Sequence, residues 1–261
     1  MFSSTLFVGS FSAYKYAPLA GQEIRSLSFS WDSVIVLLVF FTIFMILALR
    51  FKKLSALSFK FLLLLVVFSG SEIIIGSVVS SPWDFLLALF VVVIFLKIHN
   101  VLVHDIGIML GIAGVSSTLG ITISSEIGII LLVVLSFYDI LAVYWTKHMV
   151  YLARGMMESG AIFGFIIPFD FKDFFYHKTD AKQNVGDKFM ILGSGDVGLP
   201  LILVSSVASI SIQRGGIESS FVLSGLLLTH LIFINQRARR PMAALPPIAT
   251  LTIIGYLVSL L

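Results

Sequence analysis

Apolar runs about twenty residues long recur through this chain, and runs of that length leave few folds open. Twenty residues of helix rise about 30 Å, the thickness of bilayer hydrocarbon, whereas a barrel strand needs only about ten residues. Eight runs can be read: 31–49, 54–79, 84–97, 104–122, 127–146, 189–212, 217–235 and 242–261. Composition agrees, with 58% hydrophobic and 12% charged residues, where a soluble domain carries about 25% charged. The expectation is an all-α polytopic membrane protein with eight transmembrane helices. No cysteine is present, so disulfides, thiol nucleophiles and cysteine–zinc sites are excluded. A net charge of +3 on 261 residues gives no reason to expect nucleic acid as a partner.

Cation placement orients the runs by the positive-inside rule. With the 50–53 turn inside, Arg50, Lys52, Lys53, Lys60, Lys97, Lys147, Arg154, Lys172, Lys178, Lys182, Lys188, Arg237, Arg239 and Arg240 fall on the cytoplasmic side, leaving Lys15, Arg25 and Arg214 outside. Four parts follow: an extracytoplasmic or interfacial segment (1–30), a first transmembrane bundle (31–146), a cytoplasmic loop (147–188) and a second bundle (189–261). Residues 1–30 mix Phe and Leu with many serines, and no basic stretch precedes an apolar core, so a loosely ordered segment is expected rather than a cleaved signal peptide.

Two aspartates lie well inside apolar runs, Asp139 and Asp196. A carboxylate in hydrocarbon costs at least a few kcal/mol, so each marks a functional site. Asp139 precedes Lys147 by eight residues and Asp196 follows Lys188 by eight. At the helical rise, both then sit roughly 12 Å from the inner boundary. Two carboxylates at one depth can share a proton, the ionised one taking a proton from water while the protonated one polarises a peptide carbonyl. Gly193 and Gly195 are expected to let helices approach closely and the backbone unwind beside Asp196. Taken alone, such a pair fits a protease, a proton- or cation-coupled transporter, or a structural role.

Three motifs bear on that choice. Phe137-Tyr138-Asp139 with Ala142-Val143 is followed by Gly193-Ser194-Gly195-Asp196, and the last run opens with Ala243-Ala244-Leu245-Pro246. Their order and spacing resemble the Tyr-Asp, Gly-x-Gly-Asp and Pro-Ala-Leu motifs of the presenilin and signal peptide peptidase family of intramembrane aspartyl proteases, in a microbial form. The resemblance implies cleavage of transmembrane helical substrates within the bilayer, with no cofactor and no metal. It makes Asp139 and Asp196 the catalytic pair, with Tyr138, Gly193, Gly195 and residues 243–246 positioning the substrate. Two departures stand out. Position 243 is Ala where the family has Pro, and eight runs are read where the family has nine, the missing one being its first. Prepilin-peptidase-like cleavage shares Gly-x-Gly-Asp but leaves the Ala-Leu-Pro run unexplained.

Pro241, Pro246 and Pro247 argue against regular helix in their stretch, or for a helix start with proline in its first turn. Within the loop, 147–157 is expected to prolong the fifth run. Residues 161–168 read as a strand that could pair with an extended substrate, or as an apolar segment on the membrane. Residues 169–188 are expected to be mobile. His99, His104 and Asp105 lack metal-ligand spacing and are expected to be solvated. Glu72 and Glu126 lie toward the outer side, and His230 reads as a packing residue. Gly107 and Gly111 form a small-residue face for close helix packing.

Overall fold

The computed structural model describes residues 1–18, 52–146, 155, 160–178, 188–236 and 242–261. The run expected at 31–49 lies outside these residues, as does most of 147–157. The described helices are α1 (Phe2–Tyr16), α2 (Lys52–Gly76), α3 (Trp83–Lys97), α4 (Val101–Thr122), α5 (Ser125–Ile140), α6 (Ser194–Ala208), α7 (Ile212–Ile234) and α8 (Leu245–Ser259). A π-helical turn, Leu141–Trp145, continues α5. Four stretches are by themselves long and apolar enough to cross a membrane: Leu57–Gly76, Val101–Thr122, Ser125–Trp145 and Ile212–Ile234. Strands β1 (Gly164–Pro168) and β2 (Phe189–Gly193) form an antiparallel pair.

The first correction concerns residues 1–30. Instead of a loose segment, residues 2–16 form a helix packed against α4, α6 and α7, with Thr5, Leu6, Gly9, Ser10, Ser12 and Ala13 buried. Thr5 and Ser10 donate their hydroxyls to the carbonyls of Met1 and Leu6 (3.0 and 2.6 Å). A serine that bonds its own helix can enter a core without an outside partner, so this serine content was no sign of solvent. Small residues also bring α1 close to its neighbours: a Cβ on Gly9 would lie 2.8 Å from Leu201 Cδ2. Phe2 meets Phe165 edge-on at one end (5.1 Å), and the Tyr16 hydroxyl reaches Ile73 O at the other (3.1 Å).

Close packing on small residues of α4 is present, but the face that meets α2 is made by Gly111 and Gly114, while Gly107, expected to share it with Gly111, packs on the Phe95 ring of α3. Gly111 and Gly114 press directly on Gly70 of α2, and a Cβ on Gly111 would lie 3.1 Å from Val66 O. In lipid, where burying apolar surface gains little, such backbone contact supplies the packing energy. On its other side α4 meets α6, where a Cβ on Gly120 would fall 2.5 Å from Ile202 O. Helix α6 is therefore central. Val197, Gly198 and every residue from Pro200 to Ala208 are buried.

A second correction concerns the run at 189–212. Its first five residues are strand β2, and α6 starts only at Ser194. Asp196 therefore lies in the first turn of its helix, and a depth reckoned at the helical rise from Lys188 does not apply to it. A strand there rises about 3.3 Å per residue.

Candidate active site

The Gly-x-Gly-Asp stretch folds as a strand running straight into a helix. Gly193 is the N-cap of α6, and Asp196 is its third residue. There the carboxylate turns back toward its own helix start and accepts from the Gly193 amide. This is the reach-back half of a capping box, favoured also by the positive end of the helix dipole. Gly193 makes room locally, because a Cβ on it would crowd Asp196 Oδ2 at 3.1 Å. Gly195 differs: a Cβ there would meet nothing within 4 Å. Neither glycine lies at a helix–helix contact, contrary to expectation. One makes room for the carboxylate and the other faces open space.

Asp139 approaches from α5. It is 9% exposed and is one of only three buried residues on that helix, with Gly128 and Leu132. Its Oδ2 accepts the Leu245 amide at 3.2 Å, and the Ala244 amide is a second backbone donor. Asp139 is also the charged group whose field falls on Asp196. The structure thus brings together Asp139, Asp196, Gly193, Ala244 and Leu245. Ala243, Ala244 and Leu245 are buried beside the pair. Tyr138 is not gathered in: it lies on the outer flank of α5, 48% exposed.

Pro246 and Pro247 start a helix rather than prevent one, and Pro241 lies outside the described residues. Residues 242–244 are irregular, and Pro246 and Pro247 lie in the first turn of α8, where amides have no intrahelical partner to lose. Pro246 is half-buried. The amides of Ala244 and Leu245 belong to this helix start, so the groups holding Asp139 are the unpaired donors every helix N-terminus presents.

The strand at 164–168 is present, and its surroundings decide which edge is open. Phe165 pairs with Leu192 and Ile167 with Met190. Phe169 N donates to Lys188 O (3.0 Å) and Ser194 N to Phe163 O (3.1 Å). By antiparallel alternation, Gly164, Ile166 and Pro168 present their backbone groups to the opposite edge of β1. That edge is taken by α4. Asp105 Oδ1 accepts the Ile166 amide at 2.9 Å, and His104 Nε2 donates to Gly164 O at 3.2 Å. Both side chains are buried, at 1% and 2% exposed, which overturns the expectation that they are solvated. Sequence reading judged them by an inside-loop position. The available signal was that both open an apolar helix.

The β1 edge is therefore unavailable to a further strand, contrary to one expectation. The remaining edge belongs to β2, where Phe189 and Ile191 direct their N–H and C=O groups away from β1, and among the described residues the sheet has two strands. Residues 169–178, expected to be mobile, are tied down instead. Val101 N donates to Tyr176 O (3.1 Å) and Lys178 N to His99 O (2.7 Å). No group of metal-ligating residues occurs among the described residues. Glu72 lies by Tyr16, whose hydroxyl bonds Ile73 at the end of α2 remote from β1, and Glu126 is exposed at the start of α5.

Comparison with known proteins follows the same lines. The family model described as "Signal-peptide peptidase, presenilin aspartyl protease" matches residues 21–261. Two solved structures of a presenilin family intramembrane aspartate protease, in C222 and P2 crystal forms, share the fold. The first is 23% identical with a TM-score of 0.60, covering 98% of this chain and 94% of the other. The second is 24% identical with a TM-score of 0.63, covering 99% and 96%. None of the curated proteins matches. The chain, an integral membrane protein whose apolar helices bring two aspartates together, belongs to the signal-peptide peptidase and presenilin family of intramembrane aspartyl proteases.

Proposed function

We propose that Asp139 and Asp196 are the catalytic pair of this protease and that one proton is shared between them. The supporting observation is that the Asp139 charge acts directly on Asp196 while backbone amides hold each carboxylate in place. Two neighbouring carboxylates do not both ionise easily. The ionised member takes a proton from water as the oxygen attacks the scissile carbonyl carbon, and the protonated member donates to the carbonyl oxygen. When the tetrahedral intermediate collapses, the C–N bond breaks and a proton passes to the leaving nitrogen.

A scissile bond within a transmembrane helix must leave helical geometry first, and unpaired amides and carbonyls are costly in hydrocarbon. The outer edge of β2 offers partners for the unwound stretch, and it runs directly into Gly193 and Asp196. Gly195, with open space beside it, admits a substrate backbone near the pair. Residues 243–246 position Asp139 through the Ala244 and Leu245 amides. The 147–188 loop faces the cytoplasm of a microbial cell, between the bundle of 31–146 and that of 189–261.

The test is cleavage of a reconstituted single-span substrate. Asp139→Ala and Asp196→Ala should each leave no detectable product, a loss of at least about 10²–10⁴-fold. Robust cleavage by both variants would sink the pair, and acid-dependent ion flux without peptide product would identify a transporter instead. For the strand edge, Ile191→Pro should lower cleavage well beyond Ile191→Ala, since the Ile191 amide faces away from the β1 ladder. Equal losses would discard edge pairing.

A further inference from the structure

One surface is explained neither by the catalytic pair nor by the packing of the bundle. Only residues 98–100 separate α3 from α4. Both helices are strongly apolar, and α4 is long enough to cross a membrane by itself. Irregular backbone exposed to lipid is not tolerated within hydrocarbon, so a short turn between two such helices lies at the membrane boundary. The segment 171–178 is bound to that turn through its backbone. Val101 N donates to Tyr176 O and Lys178 N to His99 O (3.1 and 2.7 Å), and Asn100 forms a β-bridge with His177. These contacts hold the segment at the level of the boundary.

What it presents there is a mixture of rings and cations. Phe175 is 70% exposed and Tyr176 43%, with Ile98 exposed on the adjoining turn. Aromatic side chains left bare at this level sit among headgroups, where one end is apolar and the other wet. Lys178 places its ammonium 5.6 Å from the centre of the Phe95 ring, and Lys188 places its own 5.5 Å from that of Tyr176. An ammonium held over a ring face is fixed in position without losing its charge. Lys97 ends α3 two residues before His99, whose ring stacks on that of His177 at 5.6 Å. Of the neighbouring acids, Asp173 is turned inward, and Asp105, which feels the Lys178 charge, is buried too. Asp170 is exposed. The exposed surface is therefore positive in sum. An acidic soluble partner would match that charge but not the bare rings at the boundary. An anionic lipid answers to both, with phosphate for the lysines and the edge of the acyl layer for the rings.

We propose that residues 171–178, with Lys97 and Lys188, form a docking surface for anionic phospholipid headgroups of the membrane that the chain itself spans. The Tyr176 ring meets Phe189 edge-on (6.5 Å), and Lys188 directly precedes β2, so docked headgroups bear on the strand that leads to Asp196. The proposal rests on the membrane fold and not on the assignment of the catalytic pair. The chain has no cysteine, so Phe175→Cys gives a single attachment point for a nitroxide spin label. Its depth is read from collisions with oxygen, which favours lipid, and with a neutral nickel complex, which favours water. The labelled full chain is reconstituted in phosphatidylcholine vesicles with increasing phosphatidylglycerol, which should draw the label into the headgroup layer. Lys97→Gln, Lys178→Gln and Lys188→Gln should each raise the phosphatidylglycerol fraction needed for half of that shift about fivefold. Lys15→Gln, at the end of α1 remote from β1, should leave it unchanged. A depth indifferent to phosphatidylglycerol, lysine variants without effect, or Lys15→Gln acting as strongly as the others would overturn the surface. So would an equal shift produced by soluble glycerol phosphate in pure phosphatidylcholine vesicles, which would mark a site for free phosphate instead.

Discussion

Helices α5 and α6 carry one aspartate each, yet they are built in opposite ways. Almost all of α6 beyond its first turn is buried among α1, α4, α5, α7 and α8. Helix α5 buries three residues and turns an apolar flank outward, with Ile130 62%, Val134 59% and Phe137 66% exposed. In a membrane that flank meets lipid. Among the described residues its packing partners are α6 and α8, and the hold on Asp139 comes from the start of α8. One acid thus stands on a fixed central post and the other on a peripheral wall. The pair's geometry depends chiefly on what fixes the wall.

The contrast can be tested on paired glycines. Gly120→Ala places a methyl 2.5 Å from Ile202 O and Ser205 Cβ at the α4–α6 crossing, where backbone must shift. Gly128→Ala on α5 approaches the Leu203 Cδ1 methyl at 3.2 Å, with the Leu203 Cα at an ordinary 3.8 Å. Overpacking costs about 1–3 kcal/mol, so Gly120→Ala should lower the melting temperature by about 4 °C or more and Gly128→Ala by less than about 2 °C. Equal shifts would remove the distinction between post and wall.

The post also extends into the hairpin, through Asp105. Replacing Asp105 by Leu leaves the buried Ile166 amide without an acceptor, whereas Asn keeps an oxygen there. Cleavage by Asp105→Leu should fall about tenfold. Its product ends should spread over neighbouring bonds as β2 loses its fixed register, and Asn should restore one dominant site. Mass spectrometry of the products separates this from simple destabilisation, which lowers yield without moving the cut. The smallest effects belong on the wall: Ile130→Ala and Val134→Ala should change the melting temperature by no more than about 1 °C. A large loss at either position would show that the flank is packed in the membrane.

Much of this architecture was legible in the sequence because apolar run length and cation placement report directly on a bilayer. Runs two to five, seven and eight match described helices within a few residues. Asp139 and Asp196 stood out because charge in such runs is costly. What stayed hidden was tertiary. Residues 2–16 read as polar because serine counts as polar until its hydroxyl is seen bonding its own helix. The β2–α6 junction was hidden because Phe189-Met190-Ile191-Leu192 is equally apolar as strand or helix. His104 and Asp105 looked like loop residues because their partners lie about sixty positions away, at Gly164 and Ile166.

The start of α8 has a consequence for mutational scanning. Asp139 is held there by the main-chain amides of Ala244 and Leu245, which every residue except proline possesses. Replacing side chains one at a time along 243–245 leaves those donors intact, so a map of tolerated substitutions would under-report the segment's part in holding Asp139. Only a change that deletes a donor or bends the path of the chain would register as loss.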